Sequence, residues 1–150
     1  LALNLPVLIT RFPLFYEMTE FIRLASNKPL AIVIGATHLD KLFDEKFYSD
    51  LKGGLIEGKG KLHDKSTRLY IYPHKTKDIC LLTKSYFPKP AIKHIYAHFI
   101  ENKFIQDIAG CDEIEEFMHS EDIIKMIKAK KTDWKKYVPS SIHQLVQKMN

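Results

Sequence analysis

Leu30-Ala31-Ile32-Val33-Ile34 is an unbroken apolar run, preceded by the turn-forming Ser26-Asn27-Lys28-Pro29 and closed by Gly35. Five residues suit a strand better than a helix, and the absence of polar alternation predicts a strand covered on both faces. Similar short runs recur at 7–10 after Pro6, at 69–72 before Pro73 and at 104–109, with 79–83 as a short extra strand.

Helical periodicity fills the spaces between them. After Pro13, the residues Leu14, Met18, Phe21, Ile22 and Ala25 fall on one helical face. Thr37 followed by Asp40 reads as an N-cap with its acidic partner, opening a helix that carries Leu39, Leu42 and Phe43 inward. Residues 55–63 form a shorter helix, weakened by Gly58 and Gly60. Pro88-Lys89-Pro90 opens the strongest helix, with Ile92, Ile95, Tyr96, Phe99 and Ile100 spaced as one buried face. Ser120 reads as the cap of a helix with acids in its first turn and lysines in its last. A final helix turns Ile142, Leu145, Val146 and Met149 inward.

Strands alternating with helices predict an α/β fold: a Rossmann-like, three-layer domain with a short, mostly parallel sheet of about four strands and helices on both faces. Residues 1–150 read as one domain. A start at Leu1 rather than Met suggests the C-terminal part of a longer protein, with an upstream domain as partner. Ligands of such sheets bind beyond the carboxyl ends of the strands. That rule selects Arg11, the segment from Gly35 to His38, the segment from Tyr72 to Lys75, and Gly110 with Cys111.

Composition removes other classes. Apolar residues at 45% and charged ones at 27% exclude disordered and collagen-like chains. No apolar run is long enough to span a membrane, and residues 1–11 lack the basic start of a secretory signal. The formal charge is +5, but among the 23 basic residues only Arg11, Arg23 and Arg68 are arginines. Base reading favours arginine's planar fork, so nucleic acid is not expected as a partner. The lysines crowded around Trp134, from Lys125 to Lys136, read as a solvated basic helix end. Cys80 and Cys111 form no C-x-x-C pair, and with no export signal they read as reduced thiols of a cytoplasmic protein.

The candidate chemistry is sparse. Gly53-Gly54-Leu55-Ile56-Glu57-Gly58-Lys59-Gly60 approaches a phosphate-binding loop, but Gly60 stands where a hydroxyl must ligate magnesium. The backbone amides of Gly53 and Gly54 remain an anion-binding candidate at a helix start. Arg11, placed just after a strand, suits a phosphate or carboxylate, or an ion pair with Asp40, Glu45 or Asp50. Tyr72 reads as a strand stop whose hydroxyl could meet a ligand. His94 and His98 are spaced i, i+4 with Glu101 nearby, but no third ligand can be placed, so no metal is expected. No cofactor is named by any motif, and no nucleophilic triad is legible.

Several stretches together resemble the C-terminal part of an uncharacterised bacterial family. They are residues 39–48, Gly53-Gly54-Leu55-Ile56-Glu57, Leu69-Tyr70-Ile71-Tyr72-Pro73, His94-Ile95-Tyr96 with Glu101-Asn102, and Trp134 with Tyr137-Val138-Pro139. Members are commonly labelled TonB-dependent receptor or nicotinate-nucleotide adenylyltransferase. The alternating strands of an outer-membrane receptor are not legible here. Nor is the His-x-Gly-His turn of the adenylyltransferases, since Thr10-Arg11-Phe12-Pro13 follows the first run. The resemblance marks Glu45, Lys46, Tyr48, Gly53, Gly54, Glu57, Tyr72, His94 and Tyr96 as family-like polar positions. This chain departs from the family at Gly58-Lys59 and His63, where the family tends to be apolar, and has Lys84-Ser85 where an acidic and amide pair is usual.

The functional expectation is a site for a small anionic or phosphate-bearing metabolite at the carboxyl ends of the strands. Arg11, Gly35, Gly53, Gly54, Tyr72 and His94 would bind it, and Glu45 or Glu57 would serve as acid or base if chemistry occurs. The alternative is a non-catalytic docking or oligomerisation domain, with a homo-oligomer formed through the helix around Tyr96 and Phe99.

Overall fold

The computed structural model describes residues 5–114 and 118–148. The chain forms two compact units, Thr10–Glu116 and a second that joins Leu1–Ile9 to Phe117–Asn150.

The larger unit runs α1 (Phe15–Ala25), β1 (Leu30–Gly35), a 3-10 turn (Ala36–His38), α2 (Leu39–Leu42) and a second 3-10 turn (Glu45–Tyr48). Then follow α3 (Gly54–Leu62), β2 (Thr67–Tyr72), the short strands β3 (His74–Lys75) and β4 (Cys80–Leu81), α4 (Lys93–Glu101) and β5 (Ile105–Asp107). β2 is the central strand of a three-stranded parallel sheet in the order β1-β2-β5. It pairs with β1 from Leu30↔Thr67 to Gly35↔Tyr72, and with β5 from Leu69↔Ile105 to Ile71↔Asp107. β3 and β4 pair separately as an antiparallel hairpin.

This order never reverses. Right-handed crossovers that step the same way along a sheet lay their helices on one face. Ile32, Ile34, Leu69, Ile71 and Ile105 accordingly share one core with Leu55 and Leu62 of α3 and with Tyr96 and Phe99 of α4. The opposite face carries Ala31, Val33 and Tyr72, all exposed, Val33 at 55%. β1 is therefore covered on one side only, contrary to the expectation from its apolar run: as an edge strand it alternates buried and exposed residues.

Other expectations also change. Residues 7–10 form no strand, and Val7, Leu8 and Ile9 are exposed, which leaves three strands instead of about four. An apolar run of that length becomes a strand only where a neighbour offers backbone partners. Thr37 is exposed and caps nothing; Gly35 leads into the 3-10 turn and His38 stands before α2. In α1 the buried residues are Tyr16 and Thr19, while Phe21 and Ala25 are exposed. Thr19 can be buried because its hydroxyl donates to the Phe15 carbonyl at 2.9 Å.

The cysteines are not reduced thiols. The β3–β4 hairpin and the segment after β5 bring Cys80 and Cys111 together in a disulfide, with Cα atoms 6.1 Å apart. Lys75 braces the same corner, donating to the carbonyls of Cys111 at 2.8 Å and Ile114 at 3.0 Å. Among the described residues, no helix is long and apolar enough to cross a membrane.

The second unit contains α5 (Ser120–Lys128), a 3-10 turn (Asp133–Tyr137) that buries Trp134, and α6 (Ser140–Lys148). Trp134 meets His143 edge-on at 5.3 Å, and His143 Nε2 donates to the Val138 carbonyl at 2.7 Å. His119, rather than Ser120, occupies the N-cap position of α5. Ile142 and Val146 are half-buried, Leu145 is exposed, and Met149 lies outside the described residues.

Candidate functional site

The start of α3 shows how its sequence disposes of the expected anion site. Gly54 adopts φ +55°, a conformation open to glycine, and turns the chain into the helix. The Gly53 N–H then donates to Glu57 Oε2 at 2.8 Å, and the other Glu57 oxygen lies 3.8 Å from Lys61 Nζ. The chain's own carboxylate thus occupies the amide and dipole that a ligand anion would use. Gly53, Gly54 and Glu57 do come together, but as a helix cap. Glu57 is engaged there, and Glu45 is exposed at the start of its 3-10 turn.

The strand ends are likewise committed. Gly35 and Tyr72 are paired in register, with Tyr72 44% exposed on the open face. Beside them Asp107 accepts from Thr83 N–H at 2.9 Å and from its hydroxyl at 2.6 Å, and Tyr96 donates to the Thr83 carbonyl at 2.8 Å. Asp107 therefore pins the loop after β4, and its negative charge discourages an anion. Arg11 is exposed, and the strand it was to follow is not formed.

His94 leads to a different place. It lines a groove of about 540 Å³ between α3 and α4, with His98 on its own helix, Lys59 and His63 from α3 and the residue after it, and Phe99 and Phe104. The α3 stripe Leu55, Gly58, Lys59, Leu62 keeps the i, i+3, i+4, i+7 spacing of a buried helical face. Lys59 and His63 thus sit on the side of α3 that should be apolar.

His63 is 9% exposed, and neither ring nitrogen has a hydrogen-bond partner. Its ring packs on Phe99 with centroids 4.6 Å apart and edge-on to Phe104 at 5.8 Å. Burial, assisted by the charges of Lys59 and Arg68, pushes its pKa down to about 3. It is therefore a neutral imidazole near pH 7, with one N–H donor and one acceptor nitrogen unused. Leaving such groups unpaired costs about 1–3 kcal/mol each.

Lys59 is 2% exposed. Its Nζ donates to the Leu42 carbonyl and, at 3.0 Å, to Tyr48 Oη, and it lies 4.3 Å from the Phe43 ring centroid. Tyr48 in turn donates its hydroxyl proton to the Leu42 carbonyl at 2.6 Å. No carboxylate pairs with Lys59 among the described residues, and burial holds its amine well below the ordinary lysine range. The nearby Lys61 behaves conventionally, with an ion pair to Glu20 at 2.9 Å.

His98 Nδ1 faces the Asn102 amide at 3.2 Å, and no group of three His, Cys, Asp or Glu among the described residues is placed to hold a metal ion. Of the expected binding residues, only His94 belongs to the groove. Lys59 and His63 lie outside the expected binding set, although their position in the α3 stripe is readable from the sequence. No protein-family model, curated protein or solved structure matches the chain.

Proposed function

We propose that the 10–116 unit is a binding domain for a small anionic metabolite with an apolar body, held in the groove between α3 and α4. The observation that carries this reading is His63: a neutral imidazole in the groove wall with two buried, unpartnered nitrogens. A carboxylate or phosphate oxygen would accept its N–H, while Phe99, Phe104, Ile56 and Ile95 would cover the ligand's apolar part. His94 and His98 add polar groups at the exposed side. The ligand class is the one the sequence suggested; the place is α3–α4 rather than the strand ends. The sequence expectation put the site beyond the carboxyl ends of the strands; a crevice forms there where strand order reverses, and the order β1-β2-β5 does not reverse.

The docking alternative named Tyr96 and Phe99, which are buried at 6% and 8% exposure and are core residues. The Cys80–Cys111 disulfide favours an oxidising compartment over the cytoplasm.

A thermal-shift screen of sugar phosphates, nucleotides, pyridine cofactors and small carboxylates tests the reading. A ligand at about 100 times its dissociation constant adds roughly 2.7 kcal/mol of stability. The expected hit survives Arg11→Ala and is lost in His63→Phe. Silence across the panel, or a hit indifferent to His63→Phe, overturns the groove.

A further inference from the structure

We propose that the cavity at the end of α5 binds a small molecule bearing several linked phosphates, held by Lys128, Lys130, Lys131 and Lys135. The cavity belongs to the second unit, measures about 390 Å³, and is lined by these four lysines with Ile127 and Trp134. No carboxylate lines it. Lys125, earlier on α5, pairs with Asp122 at 2.9 Å. None of the four has an ion-pair partner among the described residues.

A basic helix end is favourable by itself, because cations near the C-terminus offset the macrodipole. That accounts for Lys125 and Lys128 in the last turn of α5, and the effect fades beyond it. Lys130 and Lys131 follow the helix, and Lys135 belongs to the 3-10 turn at Asp133–Tyr137. The chain folds back at this point. The Lys130 N–H donates to the Ile127 carbonyl at 2.9 Å, and the Lys131 N–H to that of Met126 at 3.0 Å. This closure sets Lys130 at φ +56°, a backbone angle that glycine adopts freely and a lysine only at a cost. Like charges gathered on one cavity repel as well. A bound anion turns that repulsion into attraction.

The class of anion follows from the cations and the shape. The unit contains no arginine, so planar bidentate recognition has no residue to make it. Lysine ammonium groups are compact point charges that meet phosphate oxygens from several sides. One phosphate engages few of the four, whereas a run of linked phosphates can meet them all. Nucleic acid fits less well. Single strands bind where exposed aromatic rings stack the bases, but Trp134 is 5% exposed and its ring meets His143. The lysines also come from three segments onto one concavity, rather than in a row that a long backbone could follow.

Trp134 is the chain's one tryptophan and lines the cavity, so its fluorescence reports occupancy. The 150-residue chain is titrated at neutral pH with inorganic tripolyphosphate, and in parallel with sulfate at matched ionic strength. Four ion pairs of ordinary surface strength reach a dissociation constant of about 1 mM. Saturation at or below that concentration is expected for tripolyphosphate, and none for sulfate. In Lys128→Gln with Lys135→Gln, affinity should fall about tenfold.

Lys130→Gly separates a binding role from a structural one. Glycine relieves the backbone angle, so the melting temperature should hold or rise while affinity for tripolyphosphate falls about threefold to fivefold. Lys103→Gly is the matched control, since Lys103 follows α4 at φ +57° and does not line the cavity. It should hold or raise the melting temperature and leave binding unchanged. No saturable response to tripolyphosphate, an equal response to sulfate, or a Lys130→Gly variant that binds as the parent does overturns the site. Tighter binding of an oligothymidylate than of tripolyphosphate, compared per phosphate, overturns the small ligand in favour of a nucleic-acid backbone.

Discussion

The ring of Tyr48 lies so close to the backbone of Gly58 that a methyl group built on the glycine would stand 2.1 Å from Tyr48 Cδ1. The glycine serves this contact rather than a special backbone angle. Only because the ring can lie against α3 does its hydroxyl reach the Leu42 carbonyl and accept from Lys59. The buried polar cluster around Lys59 thus depends on the missing side chain one residue before it.

Gly58→Ala and Gly60→Ala should therefore move stability in opposite directions. Both lie inside α3, where alanine is favoured by about 1 kcal/mol on propensity alone. At Gly60 a Cβ meets nothing within 4 Å, so that gain of about 0.5–1 kcal/mol should appear. At Gly58 the ring must shift, and overpacking of roughly 1–3 kcal/mol outweighs propensity. Urea denaturation of the two variants checks this; equal shifts would mean that Tyr48 does not pack on α3.

Arg23 ties three elements together. Its Nε lies 2.6 Å from Asp64 Oδ2, while Nη2 donates to Ser66 Oγ at 2.9 Å and Thr67 Oγ1 at 2.8 Å. The same guanidinium reaches the Lys28 carbonyl at 2.5 Å, so α1, the turn before β1 and the start of β2 share one donor. Although burial raises the Asp64 carboxyl, the hydrogen bonds from Arg23 and its neighbours hold it well below the usual range. Arg23→Lys keeps the charge but loses the fork. It should destabilise by about 1–3 kcal/mol, and Arg23→Ala by more. A Lys variant as stable as the parent would show that charge alone suffices.

Much of this architecture was legible from local pattern. The runs at 30–34 and 69–72 are strands because their apolar residues, bounded by turn signals, face a core that the flanking helices supply. Residues 7–10 have the same composition and remain unpaired, because strand formation needs a partner that periodicity cannot see. The disulfide was hidden for a similar reason: 31 residues separate Cys80 from Cys111, and only the hairpin return joins them. At the groove the signal was present. Lys59 and His63 interrupt the buried stripe of α3, and a polar residue at a core position is itself a pointer to function.

Phe99 separates the core from an interface. It is buried against His63, Phe43 and Phe104. Phe99→Ala should cost about 3–5 kcal/mol of stability. Calorimetry, with sedimentation to follow assembly, distinguishes this from loss of an oligomer contact, which would change the sedimentation coefficient and leave the monomer's melting intact.

Cys80→Ser with Cys111→Ser tests the corner they join. Closing a loop of 31 residues removes denatured-state entropy worth about 3–4 kcal/mol. The double variant should lose about that much, and the parent should fall to the same stability in reductant. Alkylation of the unfolded parent without reductant should label neither cysteine; label on both would sink the pairing.

Acid stability follows from His63. Its folded pKa of about 3 lies below the ordinary 6.5, so the unfolded chain takes up the proton first. The neutral imidazole's contribution is complete above pH 6.5 and is lost as pH falls toward 3, at roughly 1.4 kcal/mol per pH unit. Asp64 has its own window, since a lowered carboxyl costs stability only once pH drops below 3.8. Lys59, also lowered, makes the chain more stable as pH rises toward 10.5, because the unfolded lysine loses its proton last. Urea curves at pH 7 and pH 5 should show the parent losing about 2 kcal/mol more than His63→Phe. Curves at pH 8 and pH 10 should show the parent gaining on Lys59→Met. If His63→Phe tracks the parent between pH 7 and pH 5, burial does not hold the imidazole neutral, and the groove loses the observation that carries its ligand.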